Sequence, residues 1–157
     1  MRKTVAKPSG QHASAAEGNW LDLESIAEVE VSSEHPQFPI DSALTEHGVR
    51  GWRADRPGVQ TVVLKFDEPQ QLKRIWLHFV EEERERRQEF KLSWSADDGR
   101  SFREIVRQQW NFSPSGSTME LEDYIVDLSG VTAVKLAIDP DLGRGEALAT
   151  LSELRLA

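Results

Sequence analysis

The stretch QEFKLSWSADDGRSFREIVR, residues 88–107, decides the fold of this chain. In its first half apolar residues alternate with polar ones, a period of two that is typical of a strand with one buried face. Its second half is another run of strand-forming residues. Between the two, Asp98 and Gly99 favour the positive φ angles of a tight turn. The stretch therefore predicts a β-hairpin and an antiparallel β architecture.

Five more runs outside this hairpin have strand character, and turn residues separate them at short intervals. They span residues 59–66, 72–80, 121–128, 132–138 and 147–156. Residues 20–31 are ambiguous between a short helix and an entering strand, because their apolar residues fit either period. Many short strands without repeated helical segments predict an all-β fold, an antiparallel β-sandwich.

The order of the connections predicts which of them meet. In an antiparallel sandwich each connection reverses the chain, so every second connection lies at the same end. The tight turns share one end, the tight-turn end: residues 67–71, 96–101 and 129–131. The long loops share the other, the long-loop end: residues 41–58, 81–87, 108–120 and 139–146. Because binding residues concentrate on long loops held by a rigid scaffold, the long-loop end is the predicted functional face.

Composition restricts the class of protein. With 157 residues, the chain is long enough for one domain whose core needs no disulfide or metal. It has no cysteine, which excludes disulfides, thiolate metal sites and cysteine nucleophiles. A net charge of -8 disfavours nucleic acid as a partner, since phosphate binding depends on an excess of lysine and arginine. No apolar run is long enough to predict a membrane span.

The start of the chain predicts its location. Residues 1–19 begin with cations but lack the apolar stretch of a signal peptide. They are predicted to form a disordered or loosely attached arm, and residues 20–157 to form the single domain. Together with the missing cysteines, this start predicts a cytoplasmic protein.

Five segments, in this order, resemble the discoidin family, the coagulation factor V/VIII type C group. They are GWRA (51–54), VQTVVLKFDEPQQLKRIWLHF (59–79), FKLSWSADDGRSF (90–102), DYIVDLSGVTAVKLAI (123–138) and LSELRL (151–156). The resemblance covers residues 36–157 and implies a galactose-binding-like jelly roll. It also implies a non-catalytic module that binds sugars, phospholipid headgroups or proteins through the long-loop end.

A second resemblance is to the N-terminal domain of a single-strand-break repair scaffold, which has the same fold. It is carried by the sequences WRA at 52–54 and SPS at 113–115. In the discoidin family the tryptophan that matches Trp52 is structural, so Trp52 is expected in the core.

Aromatic residues in the third long loop are the first ligand candidates. Trp110 and Phe112 could stack on the apolar face of a sugar ring while Asn111 hydrogen-bonds its hydroxyl groups. The alternative is that both aromatic side chains fold back and plug the open end of the sandwich, since large aromatic residues are mostly buried.

Cationic residues in two other long loops are the second set of candidates. Arg50 and Arg53 could bind carboxylates, phosphates or sugar hydroxyls, and His47 could add a hydrogen bond. Pairing of the arginines with nearby carboxylates is the alternative. The charged connection at 81–87 could present Arg84 and Arg87 to a ligand or partner, or could simply be a solvated loop.

A structural calcium ion is implied by the discoidin resemblance, although no cofactor is required for the predicted function. Asp41 lies near the position of a family Asp-Gly pair that is associated with calcium, and Glu153 matches a carboxylate on the last strand. Both could supply the oxygen ligands that calcium prefers. The alternative is that Asp41 caps a turn and Glu153 faces solvent.

Two functions remain after this reading. The first is a carbohydrate-binding module, with Trp110, Asn111 and an arginine at the long-loop end. The second is an intracellular protein-interaction module that uses Trp76 on an exposed sheet face, unless the segment around Trp20 covers that face. No enzyme is expected, because the sequence has no nucleophile elbow, phosphate-binding loop or zinc-protease motif.

Overall fold

Two helical turns and eight strands lie within residues 19–45 and 50–157, the part of the chain that the computed structural model describes. The helical turns are α1 (Leu23–Ile26) and α2 (Asp41–Leu44). The strands are β1 (Ala27–Val31), β2 (Trp52–Pro57), β3 (Gln60–Val80), β4 (Arg86–Ser95), β5 (Arg103–Phe112), β6 (Met119–Asp139), β7 (Leu148–Leu151) and β8 (Glu153–Leu156). No helix in these ranges is long and apolar enough to cross a membrane.

Strands β3 and β6 form a long antiparallel ribbon that organises both layers of the sandwich. Each strand has 21 residues, and their register shifts between Lys65 and Arg74, where the ribbon bends. Two residues near opposite ends of β3 line the same cleft: Pro57, which lies just before the strand, and Val80, its last residue. The ends of β3 are therefore close together, so the bend folds the ribbon back over itself. The two halves of each strand therefore belong to opposite layers.

The predicted turns at 67–71 and 129–131 are wrong as loops, because both segments lie inside strands. Pro69 and Gly130 do mark the change of direction: proline cannot donate a ladder hydrogen bond, and Gly130 has a φ of 69°. Because both strands bend together, however, pairing continues on either side of the bend. Pro69 and Gly130 thus correctly predicted that the chain changes direction, but they did not show that it does so inside a strand.

One layer has the strand order β1-β3-β6-β4-β5, and the second half of β3 pairs with β8 in the other layer. A short β2-β7 ladder completes the structure. The core lies between the layers, where Phe79 of β3 stacks on Phe90 of β4 with 5.3 Å between ring centroids. Trp52 is 1% exposed and donates a 3.1 Å hydrogen bond from Nε1 to the Ser33 carbonyl, so its predicted core position is confirmed.

The predicted hairpin is confirmed between β4 and β5, which pair antiparallel. Asp98 and Gly99 take φ angles of 61° and 86°. Asp97 accepts hydrogen bonds from the Ser101 hydroxyl at 2.6 Å and the Ser101 N–H at 2.9 Å. The Asp98 N–H donates to Thr132 Oγ1 at 2.8 Å, which ties the hairpin turn to the bend of β6.

The sheet face that carries Trp76 is covered, so the exposure of Trp76 that the protein-interaction hypothesis requires is wrong. Trp76 is only 2% exposed. The Leu21 N–H donates to the Leu156 carbonyl at 2.8 Å, and the Arg74 guanidinium lies 4.7 Å from the Trp20 ring centroid. The N-terminal part of the domain therefore runs beside this face, as the alternative expected.

Three predicted boundaries differ from the structure. The ambiguous segment at 20–31 holds a helical turn and then β1, which pairs with β3. The predicted first long loop contains β2, whose charged sequence hides a short strand paired only with β7. The predicted last strand is two strands, which Ser152 separates.

Candidate functional site

Three of the four long loops meet around an open cleft of about 680 Å³. Its walls come from residues 50–57, 80–84 and 146–152, together with Phe38. The remaining long loop adjoins them, because the Glu81 N–H donates to the Thr118 carbonyl at 2.8 Å. The structure thus brings the long loops together at one end, as their alternation along the chain predicted.

One wall of the cleft gathers cations around Phe38. The Arg53 guanidinium carbon lies 4.4 Å from the Phe38 ring centroid, and that of Arg50 lies 5.9 Å away. His35 meets the same ring edge-on at 5.3 Å. Among the described residues, neither arginine has an ion-pair partner. The predicted pairing of the loop arginines with carboxylates holds only for Arg56, which lies 3.4 Å from Asp55.

A second wall carries carboxylates. Glu81 is committed to the protein itself, since it accepts hydrogen bonds from Arg86 Nε at 2.7 Å and from the Glu83 N–H at 3.0 Å. Burial alone would raise the pKa of Glu81, but these hydrogen bonds outweigh burial and leave the pKa below its ordinary value. Glu82, Glu83 and Glu146 are exposed and, within the described part of the chain, form no ion pair.

The side chain of Arg86 connects the segments that form the walls of the cleft. Its guanidinium is buried and donates from Nη1 to the Pro140 carbonyl at 2.7 Å, while Nη2 lies 3.5 Å from Thr150 Oγ1. It also lies 4.8 Å above the Phe112 ring. Because Glu81 and Thr150 line the cleft, this one side chain fixes two of its surfaces relative to each other. The prediction of a merely solvated connection at 81–87 is therefore wrong for Arg86.

The hydrogen-bonded network continues inward to a buried carboxyl group. Gln88 accepts from Arg86 Nη1 at 3.1 Å and donates from Nε2 to Glu120 Oε1 at 3.2 Å. Glu120 is 0% exposed. The pKa of Glu120 is raised to about 9, chiefly by burial and further by the neighbouring Glu122 carboxylate. Glu120 therefore keeps its proton at neutral pH, which allows a carboxyl group to remain in the core.

Three of the eight predicted ligand residues line the cleft: Arg50, Arg53 and Arg84. Arg87 and Asn111 are cross-strand partners at the exposed edge formed by β4 and β5, outside the cleft. His47 lies outside the described residues.

The two predicted stacking residues belong to β5, so their assignment to a loop is wrong. Phe112 is 1% exposed and is buried beneath Arg86, as the alternative reading expected. Trp110 is half-buried and donates from Nε1 to Ser117 Oγ at 3.1 Å. Because successive side chains of a strand point to opposite faces, Asn111 points away from Trp110. The two residues cannot contact one sugar ring as predicted.

The predicted calcium ligands have other surroundings. Asp41 begins α2. Glu153 accepts a 2.8 Å hydrogen bond from Arg155 Nη2 and lies 3.8 Å from His78 Nδ1. Within residues 19–45 and 50–157, no group of three or more histidine or acidic side chains is placed to hold a metal ion. Calcium binding stays a prediction, since backbone carbonyl groups can also be ligands.

Sequence reasoning missed several cleft residues, above all Phe38 and Glu146. Phe38 lies between two prolines, in a segment that predicts only irregular structure. Glu146 was one acidic residue of many. The one usable signal for the cleft was Phe38 itself, since an isolated aromatic residue in a proline-rich loop needs a packing partner.

The fold is shared with solved carbohydrate-binding modules. The module CpGH89CBM32-5 of Clostridium perfringens, solved with GalNAc-β-1,3-galactose, has a TM-score of 0.66 and 18% identity over 88% of this chain and 99% of that chain. The family 32 module of NanJ from the same organism, solved with galactose, has a TM-score of 0.64 and 11% identity over 87% and 96%. The CBM32 of AlyQ, in complex with 4,5-unsaturated mannuronic acid, has a TM-score of 0.59 and 15% identity over 84% and 95%.

The chain has the fold of the family 32 carbohydrate-binding modules. The galactose-binding-like jelly roll implied by the discoidin resemblance is confirmed. At the level of sequence, neither a protein-family model nor a curated protein matches the chain.

Proposed function

We propose that this protein is a non-catalytic carbohydrate-binding module whose ligand occupies the cleft at the long-loop end. One observation carries the proposal: the cleft presents arginines and carboxylates that are not paired with each other. Each sugar hydroxyl both donates and accepts a hydrogen bond, so a sugar satisfies both kinds of side chain at once. A ligand with only one kind of hydrogen-bonding group would leave part of this cleft unsatisfied.

The shape of the cleft supports the same ligand class. Its volume of about 680 Å³ is in the usual range of small-molecule sites. The floor includes Trp52 and Leu151, which are fully buried and give the cleft a rigid base. The solved neighbours with this fold bind different sugars, according to their descriptions. At identities of 18% or less, they support the ligand class, and the contacts must be argued from this cleft.

Titration calorimetry against a panel of mono- and oligosaccharides tests the proposal, with Arg84→Ala as the site variant. We expect saturable binding by the wild type and a loss of at least about tenfold in the variant, because hydrogen bonds to charged groups contribute about 1.5–3 kcal/mol. Arg87→Ala is the matched control, since Arg87 is exposed on β4 outside the cleft and should leave affinity unchanged. Absence of binding to every sugar by the folded protein would refute the proposal.

The protein-interaction alternative has lost the feature on which it depended. It required an exposed Trp76, and Trp76 is buried.

A further inference from the structure

The wall of the cleft that is formed by Phe38, Arg50 and Arg53 gives the most information about the ligand. Two guanidinium groups, those of Arg50 and Arg53, lie against one phenylalanine ring. Placing two like charges against one ring is unfavourable unless something neutralises them. Within the described part of the chain no carboxylate forms an ion pair with either group, although the protein carries a net charge of -8.

We infer that the cleft selects an acidic sugar, one that carries a carboxylate such as a uronic acid, and that Arg50 and Arg53 bind this carboxylate. This inference rests on the carbohydrate function proposed above and names the ligand class of the same site. The rest of the sugar ring, with its hydroxyl groups, then faces the wall that carries Glu82 and Glu83.

The geometry of the stacked arginines suits a carboxylate better than a hydroxyl group. A guanidinium whose flat face rests on an aromatic ring keeps its N–H edges free, and these edges match the two oxygens of a carboxylate. The stacking also restricts the side chains before binding, so less conformational entropy is lost when the ligand arrives. The Arg53 guanidinium carbon lies 4.4 Å from the Phe38 ring centroid, which is close enough for such a contact.

The carboxylates of the cleft do not cancel the preference for an acidic sugar. Glu81 already has its countercharge in Arg86, at 2.7 Å. Glu82, Glu83 and Glu146 are exposed, so water screens their effect on a ligand beyond contact distance. Screening also limits the long-range repulsion between an anionic sugar and the negative protein to about 8 Å at physiological salt. The contacts with Arg50 and Arg53 therefore decide the preference.

The test uses matched pairs of ligands: the methyl glycosides of glucuronic, galacturonic, mannuronic and guluronic acid, each with its neutral counterpart. We expect the wild type to bind at least one acid about tenfold or more tightly than its neutral partner. Arg53→Gln and Arg50→Gln should each lower affinity for the acid much more than affinity for its neutral partner, and so remove most of this preference. Arg53→Lys should restore the preference only in part, since lysine keeps the charge and loses the fork.

Arg103→Gln is the matched control. Arg103 stacks on Trp94 at 5.7 Å, in the same way that Arg53 stacks on Phe38, but at the tight-turn end. An equal loss of preference in Arg103→Gln would overturn the inference, as would a wild type that binds neutral and acidic partners equally. In both cases the proposed sugar binding itself would stand, provided that Arg84→Ala still weakens it. If no sugar of either kind binds to the folded wild type, the proposed function fails together with the inference.

Discussion

The two ends of the sandwich use similar residues in opposite ways. Each end has an arginine stacked on an aromatic ring, Arg53 on Phe38 and Arg103 on Trp94. At the tight-turn end, Asp97 is saturated by hydrogen bonds from Ser95 and Ser101. At the long-loop end, three arginines and three glutamates face one cleft and, among the described residues, form no ion pair: Arg50, Arg53, Arg84, Glu82, Glu83 and Glu146. The difference teaches that unpaired charged groups, and not residue type, distinguish the end at which we propose the binding site.

The two ends of the sandwich also differ in the direction in which the pKa of a carboxyl group is shifted. Hydrogen bonds, led by that from the Ser101 hydroxyl, hold the pKa of Asp97 well below its usual range. Burial instead raises the pKa of Glu120, beneath the long-loop end, to about 9. The contribution of Asp97 to stability is therefore lost in acid, whereas that of Glu120 falls as the pH rises from about 4.5 to about 9.

The largest expected effect comes from breaking the network under the cleft. Arg86→Ala removes a buried guanidinium and leaves Glu81 and Gln88 without their partner. We expect a loss of about 3–5 kcal/mol in the free energy of unfolding, measured with urea. Arg103→Ala, the matching change at the tight-turn end, should cost less than about 1 kcal/mol. Equal losses would mean that the network does not hold the long-loop end together.

A smaller effect sharpens the contrast in pH dependence. The pKa of Glu120 rises from its ordinary 4.5 to about 9 in the folded protein, so the folded state binds this proton more tightly than the unfolded state does. Its stabilising contribution is fully present below about pH 4.5 and is lost as the pH rises through about 9. Glu120→Gln should flatten the decline in unfolding free energy between about pH 4.5 and about pH 9.

The control for that measurement is Glu28→Gln, a change at an exposed position of β1. It should leave the decline between about pH 4.5 and about pH 9 as steep as in the wild type. If the unfolding free energy of Glu120→Gln falls just as steeply with pH, then Glu120 does not carry the buried proton.

The smallest expected effect concerns the residue that sequence reasoning placed in the site. Trp110→Phe removes one hydrogen bond, from Nε1 to Ser117 Oγ. Stability should fall by about 1 kcal/mol, and sugar affinity should not change because Trp110 does not line the cleft. A loss of sugar affinity, measured by calorimetry, would return Trp110 to the site and contradict the structural placement.

The sequence contained the hairpin and the convergence of the loops, because alternation and turn residues are local signals. It could not reveal β2, since WRADRP is charged and becomes a strand only through pairing with β7. Phe112 looked like a loop aromatic because nothing local shows that β5 extends to it. Its burial depends on Arg86, a residue from another strand.

The candidate site was predicted only in part, for a related reason. Arg50, Arg53 and Arg84 could be chosen because loops at one end must approach each other. Phe38 could not be paired with two of them, since a ring contact over a dozen residues leaves no sequence pattern. The predicted calcium ion and the predicted cytoplasmic location stay predictions.

The bent ribbon of β3 and β6 has a consequence for how the protein unfolds. Because the same two strands supply both layers, the layers cannot separate without breaking a ladder that runs, with register shifts at the bend, from Gln60 and Ile138 to Val80 and Met119. Loss of either half exposes the apolar side of the other. We therefore expect the two layers to unfold together, and a cleft built on the ends of that ribbon to keep its shape until they do.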